Sequence, residues 1–323
     1  MIGVTRRAAL TAIAAAATTG YCSASAGEEG ADVAVAGGRL YGSLRFPAGS
    51  PPFPAALIIA GSGPTDRDGN SAPAVKSDAY RLLAEALGAR GIASLRYDKR
   101  GVGASAGAAG RETDVRFDTF VDDAVAWLAK LSADKRISRS YIAGHSEGSL
   151  IGMLAARKVA GVAGYVSLCG AGRPAGPLLL DQLKAGLPPA LYAQAASIVA
   201  HLQRGELVAD VPPELSGPLF RPSIQPYIIS WFALDPAVEI AKLKMPIGIV
   251  GGTADAQVAV SEARLLSAAA PAARLTIVEG MSHMLKHVDG AGREAQLRTY
   301  TDPTLPVEPS MVAAIENVVR AKA

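Results

Sequence analysis

Cysteine is scarce in this chain: only Cys22 and Cys169 occur among 323 residues. Once the first 26 residues are removed Cys169 stands alone, which excludes an intramolecular disulfide. An excess of charge of one sign is lacking too. Lys and Arg number 32 against 29 Asp and Glu, too even a balance for a nucleic-acid partner. Long apolar runs are missing as well. The longest near the amino terminus covers positions 8–17, far short of the roughly 20 residues that cross a bilayer, so no stable membrane insertion is expected. Histidine is confined to positions 145, 201, 283 and 287, which makes any search for a general base short. Beyond an alanine-rich start there is no repeat and no low-complexity tract.

That start has its own logic. Arg6-Arg7 precedes the apolar stretch, and Ala24-Ser25-Ala26 offers small residues for cleavage. Residues 1–26 therefore read as a signal peptide, and the mature chain as exported, periplasmic or secreted. The arginine pair also fits the twin-arginine route. Cleavage would remove two arginines and no acid, taking the formal charge from +3 to +1. Residues 27–323 suffice for one α/β domain.

Apolar runs bounded by turn residues predict strands at 57–60, 93–97, 141–143, 165–168, 247–250 and 275–278, after an opening antiparallel hairpin of 33–36 and 39–46. Helical patterns lie between most of them, as at 80–90 and 120–131. This alternation predicts a mostly parallel sheet covered by helices. One interval breaks it: 173–244 carries helical patches and prolines but no strand pattern. It reads as a helical cap inserted before the strand at 247–250. Most of its apolar side chains should hold the cap together, and some, in segments such as 227–232, should line a substrate pocket.

The chemistry gathers where strands end. Gly144-His145-Ser146-Glu147-Gly148 follows the run Tyr141-Ile142-Ala143 and precedes a helical stretch. A Gly-x-Ser-x-Gly turn between strand and helix lifts the serine hydroxyl above the sheet. The next amide, from Glu147, then lies at a helix start, where an oxyanion is stabilised. A serine needs a base and a group to orient it. His283 follows the strand 275–278 and the Gly280 turn, whereas His145 sits inside the elbow, His201 in a helical stretch and His287 one turn further on, as a surface residue. Asp255 follows the strand 247–250. The order Ser146, Asp255, His283 suits a triad in which each member sits at a strand's carboxyl end.

With these residues the chain resembles the α/β-hydrolases through its whole mature length. The likeness includes Asp98-Lys99-Arg100-Gly101-Val102-Gly103-Ala104-Ser105 and Gly61-Ser62-Gly63-Pro64-Thr65-Asp66-Arg67-Asp68-Gly69-Asn70. The latter is similar to the oxyanion loop of bacterial carboxylesterases grouped with serine aminopeptidases. The resemblance implies the α/β-hydrolase fold and a Ser146-Asp255-His283 catalytic triad. The small Gly61-Ser62-Gly63 turn lets an amide approach a substrate oxygen: Ser62 is the expected second oxyanion donor and Gly63 the alternative, one such donor being worth roughly 3 kcal/mol.

Asp66, Asp68 and Asn70 alternate oxygens, but Ser71 and Ser77 stand where a calcium loop needs glycine and glutamate. A hydrogen-bonded scaffold is expected there instead. Asp98 and Arg100 read as a structural ion pair, and Cys169 as a buried hydrophobe. No metal and no organic cofactor is expected. The implied partner is a small-molecule ester with a short to medium acyl chain. A serine aminopeptidase, which would hold a substrate ammonium on cap carboxylates such as Glu206, Asp210, Glu214 or Asp235, is the alternative within enzymes. A non-catalytic small-molecule binding protein is the alternative outside them. Oligomeric state stays open.

Overall fold

The computed structural model describes residues 26–184 and 186–321. The expected leader, including Cys22, lies outside the described residues apart from Ala26. Among the described residues no helix is long and apolar enough to cross a membrane.

The chain opens with an antiparallel hairpin, β1 (Gly27–Val35) and β2 (Gly38–Phe46), turning at Gly37 with φ 84°. There follow β3 (Phe53–Ile59), a two-stranded hairpin of β4 (Asn70–Ser71) and β5 (Val75–Lys76), α1 (Ala79–Gly88), β6 (Ala93–Tyr97) and α2 (Phe117–Ala133). Next come β7 (Ile137–His145), α3 (Glu147–Lys158) and β8 (Val162–Leu168). Between β8 and β9 (Ile247–Gly252) lie α4 (Ala175–Lys184), α5 (Pro189–Gln203), α6 (Pro213–Leu215), α7 (Gln225–Phe232) and α8 (Pro236–Ile240), with no strand among the described residues. The chain closes with α9 (Val260–Ala269), β10 (Arg274–Val278), α10 (Gly292–Thr301) and α11 (Pro309–Arg320).

Eight strands make one sheet in the order β1-β2-β6-β3-β7-β8-β9-β10. The pairs β1–β2 and β2–β6 are antiparallel and all the rest parallel. Successive strand residues face opposite sides of a sheet, and β3 follows this closely. Ala55, Leu57 and Ile59 join the core under α2 and α3, while Ala56 and Ile58 join the core under α1 and α11. Both faces are covered, so the strand reads as one continuous apolar run. Helix α1 buries Ala79, Tyr80, Leu83, Ala84 and Leu87, the spacing of a single helical face. The chain leaves β3 through α1 to β6 on one side of it, and leaves β7 through α3 to β8 on the other. The two connections thus run in opposite directions, the arrangement in which a crevice opens between the loop after β3 and the turn after β7.

The inserted helices pack on the α2 side. Phe117 of α2 stacks on Tyr227 and Trp231 of α7, with ring centroids 6.2 and 6.1 Å apart.

Candidate active site

Ser146 sits between the last residue of β7 and the first of α3, with φ 54° and ψ −119°. A non-glycine residue at this φ is strained and persists only where its surroundings hold it. They do so through the two motif glycines. A Cβ on Gly144 would run into the Gly148 carbonyl, and one on Gly148 into the Ile59 carbonyl. The Ser146 amide donates to the Leu168 carbonyl at 2.9 Å, which ties the turn to β8. The Glu147 amide opens α3 and so has no partner within the helix.

His283 comes from the loop after β10, and its Nδ1 lies 2.8 Å from Asp255 Oδ2. The side chains are 4 % and 0 % exposed. Asp255, in the loop after β9, also accepts from the Gln257 and Val258 amides at 2.8 Å each. Burial pushes its carboxyl up, but His283 and the two amides outweigh this and hold the pKa below the ordinary value. An ionised Asp255 fixes the His283 proton on Nδ1 and leaves Nε2 as a base. The thiol of Cys169 lies within 4.8 Å of the ligand atoms of Asp255 and His283. It is buried, as expected, though beside the acid rather than in a purely apolar setting. His287 is half exposed and bonds Glu308 instead, at 2.7 Å.

His145 is occupied elsewhere. Its Nε2 lies 2.8 Å from the His283 carbonyl and its Nδ1 2.7 Å from the Tyr80 hydroxyl. A carbonyl only accepts, so Nε2 carries the proton and Nδ1 accepts from Tyr80. Burial, with His283 adding to it, pushes His145 down to about 3, and the ring stays neutral. The Tyr80 oxygen accepts in turn from the Gly61 amide at 3.0 Å.

A second buried group flanks the serine. Lys99 donates to Glu147 Oε2 at 2.8 Å and to the Gly61 carbonyl at 3.0 Å. Tyr227, from α7, donates to the other Glu147 oxygen. Tyr80, Lys99 and Tyr227 were not singled out by sequence reasoning. The one available signal was a lysine two positions after the buried strand Ala93–Tyr97, where a charge has no reason to sit unless it is paired.

The expected Asp98–Arg100 pair does not form. Asp98 takes both Arg67 Nε and Nη2, at 3.0 and 2.6 Å, and Arg100 instead grips Asp123 at 2.5 and 3.1 Å. The chain turns here, the Val102 amide donating to the Lys99 carbonyl at 3.0 Å and Gly101 taking φ 80°, so the two side chains part and each finds its own partner. The scaffold around Asp66 is present. Asp66 Oδ1 accepts from the Asp68 and Asn70 amides, and Asp68 and Glu28 together pair Arg96.

Ser62, Ser146 and His283 all open into one cavity of about 170 Å³, small beside the roughly 300 Å³ and more of typical ligand pockets. Thr65, Ser71, Val75, Gln257, Met284 and Tyr300 are among the residues that wall it. Among the described residues, no acidic or basic side chain other than those of His145 and His283 lines it. Nor does any described residue of 173–244, so the expected wall from 227–232 is corrected. Those aromatics are consumed in stacking on α2.

The sheet order, the strained serine turn and the helices on both faces define an α/β-hydrolase-fold protein. Residues 74–210 match the family described as Serine aminopeptidase, S33, a span that holds Ser146 but neither Asp255 nor His283. The chain is similar to Esterase EstD of Thermotoga maritima, with 28% identity over 237 residues. That match covers 70% of this chain and 52% of the relative, so the chain spans about half the length of the curated relative. Among solved structures it is similar to Est1E from Butyrivibrio proteoclasticus, with TM-score 0.56, 19% identity, and 91% and 99% of the two chains covered. It is also similar to the α/β-hydrolase GrgF from a Penicillium species, with TM-score 0.55, 18% identity, and 80% and 91% covered.

Proposed function

We propose that this chain is a serine hydrolase that cleaves carboxylic esters of short to medium acyl chain. The observation that carries this reading is the small, charge-free cavity into which Ser146 and His283 open, with His283 held by buried Asp255. Ser146 attacks the ester carbonyl while His283 Nε2 takes its proton, and Asp255 stabilises the imidazolium. The Ser62 and Glu147 amides receive the oxyanion, with Gly63 as the alternative to Ser62. His283 then protonates the departing alcohol, and water activated by the same nitrogen releases the acid. The similarity to esterases supports the ester bond as the target.

The family description favours an aminopeptidase as the second reading. A free substrate amine needs a carboxylate, and among the described residues no acidic side chain lines the cavity. Of the earlier candidates, Glu206 is paired with Arg204 and Asp235 caps α8.

Turnover of p-nitrophenyl butyrate against an aminoacyl p-nitroanilide decides between the two. Ester turnover is expected, with labelling of Ser146 by a fluorophosphonate and loss of both in Ser146→Ala. Efficient anilide turnover would overturn the ester reading. Helices in 173–244 act as a cap in this proposal, and residues 1–26 as an export leader. Amino-terminal sequencing of protein recovered from outside the cytoplasm should then begin at Gly27.

A further inference from the structure

We propose that Lys99 and Tyr80 are positioning residues that aim the Ser62 amide at the reacting carbonyl oxygen. This rests on the serine esterase reading above. Gly61 has no side chain to hold it, and glycine left to itself samples more backbone states than any other residue. Here it is pinned on both sides: its N–H donates to Tyr80 Oη at 3.0 Å, and its carbonyl accepts from Lys99 Nζ at 3.0 Å. In a planar trans peptide the carbonyl and the following N–H point in opposite directions. Holding the Gly61 carbonyl on Lys99 therefore sets the direction of the Ser62 N–H. Among the described residues that amide has no acceptor within the protein. Gly61 also lies against the nucleophile, since a Cβ on it would stand 3.1 Å from Ser146 Cβ.

The same ammonium reaches the other half of the oxyanion site. Lys99 Nζ lies 2.8 Å from Glu147 Oε2, so one cation ties the loop after β3 to the first residue of α3. The two side chains are 8 % and 2 % exposed, and the Phe120 ring covers the ammonium at 4.7 Å. Bulk salt screens such a pair little. Tyr227 donates to the remaining Glu147 oxygen, so the carboxylate is satisfied without reaching into the cavity. Lys99 thus sets the spacing between the two amides without touching substrate.

The test separates positioning from charge balance. Lys99→Met alone strands a buried carboxylate, a strongly destabilising change, so it is combined with Glu147→Gln. In a K99M/E147Q protein that folds by circular dichroism and melting, kcat on p-nitrophenyl butyrate should fall about tenfold or more with KM within about threefold. Affinity for a trifluoromethyl ketone, whose serine adduct carries an oxyanion, should fall by the same factor as kcat. If Lys99 only neutralises Glu147, the folded double variant recovers kcat to within about twofold of wild type, and the proposal is overturned. Tyr80→Phe, which strands no charge, carries the same test should the double variant not fold. There too a loss in kcat at constant KM is expected, and an unchanged kcat overturns the proposal. A wild-type protein inactive on esters and unlabelled by fluorophosphonate would sink the esterase reading itself. An active wild type with a full-rate variant sinks only the positioning role.

Discussion

Two histidines lie four positions apart in one loop, and both have a carboxylate on Nδ1. A hydrogen-bond partner alone does not choose between them. Burial and direction do: His283 is 4 % exposed and faces the cavity, whereas His287 is 54 % exposed, bonds Glu308 and lines no part of the cavity. His283→Ala should therefore cost several orders of magnitude in kcat, close to the loss in Ser146→Ala, because triad members act as a unit. His287→Ala should change kcat less than about threefold; steady-state kinetics on one ester checks both, and the reverse order would move the base to His287. Ser146, Asp255 and His283 could be picked out in the sequence because each follows an apolar run and a glycine turn. Tyr80, Lys99 and Tyr227 could not be given a role, Lys99 showing only as a charge beside a buried strand. Their partners lie 19, 38 and 80 positions away in Gly61, Gly61 and Glu147, and no local pattern marks such a meeting.

The cavity wall comes from elements that sequence patterns do not announce. Strands β4 and β5 have two residues each, too short for any alternation to register. The long strands of the sheet were evident because burial on both faces makes them unbroken apolar runs. The aromatic segment 227–232 misled for a related reason: an apolar face looks the same whether it binds a ligand or packs on a neighbouring helix. Acyl-chain preference should accordingly follow the hairpin and the His283 loop. Met284→Ala is expected to raise kcat/KM for octanoate relative to butyrate esters, and Val75→Phe to lower it. Trp231→Leu should lower the melting temperature, since it strips the stack on Phe117, yet leave the chain-length ratio unchanged. A p-nitrophenyl ester series reads all three. A ratio that shifts only in Trp231→Leu would return the pocket to the inserted helices.

Folding of the entire chain is linked to pH through groups whose protonation differs between states. Burial holds His145 at about 3 against an ordinary 6.5, so below pH 6.5 the unfolded chain binds a proton that the folded chain refuses. Stability therefore falls as pH drops from 6.5 towards 3, by up to about 1.4 kcal/mol per unit for this one group. Lys286, buried and donating to the Ser77 and Asp302 carbonyls, is held down to about 8 from 10.5. It lowers stability in the same direction between pH 10.5 and 8. Urea midpoints at pH 7 and pH 5 should show the fall, and His145→Asn should flatten it; an equal slope in that variant would assign the effect elsewhere. The thiol beside Asp255 and His283 carries a different consequence, one for handling. Burial and the neighbouring Asp255 carboxylate push Cys169 well above its ordinary pKa, and alkylating agents and peroxide attack thiolates, not thiols. The purified protein should thus keep full activity after iodoacetamide, even though Cys169 stands beside Asp255 and His283.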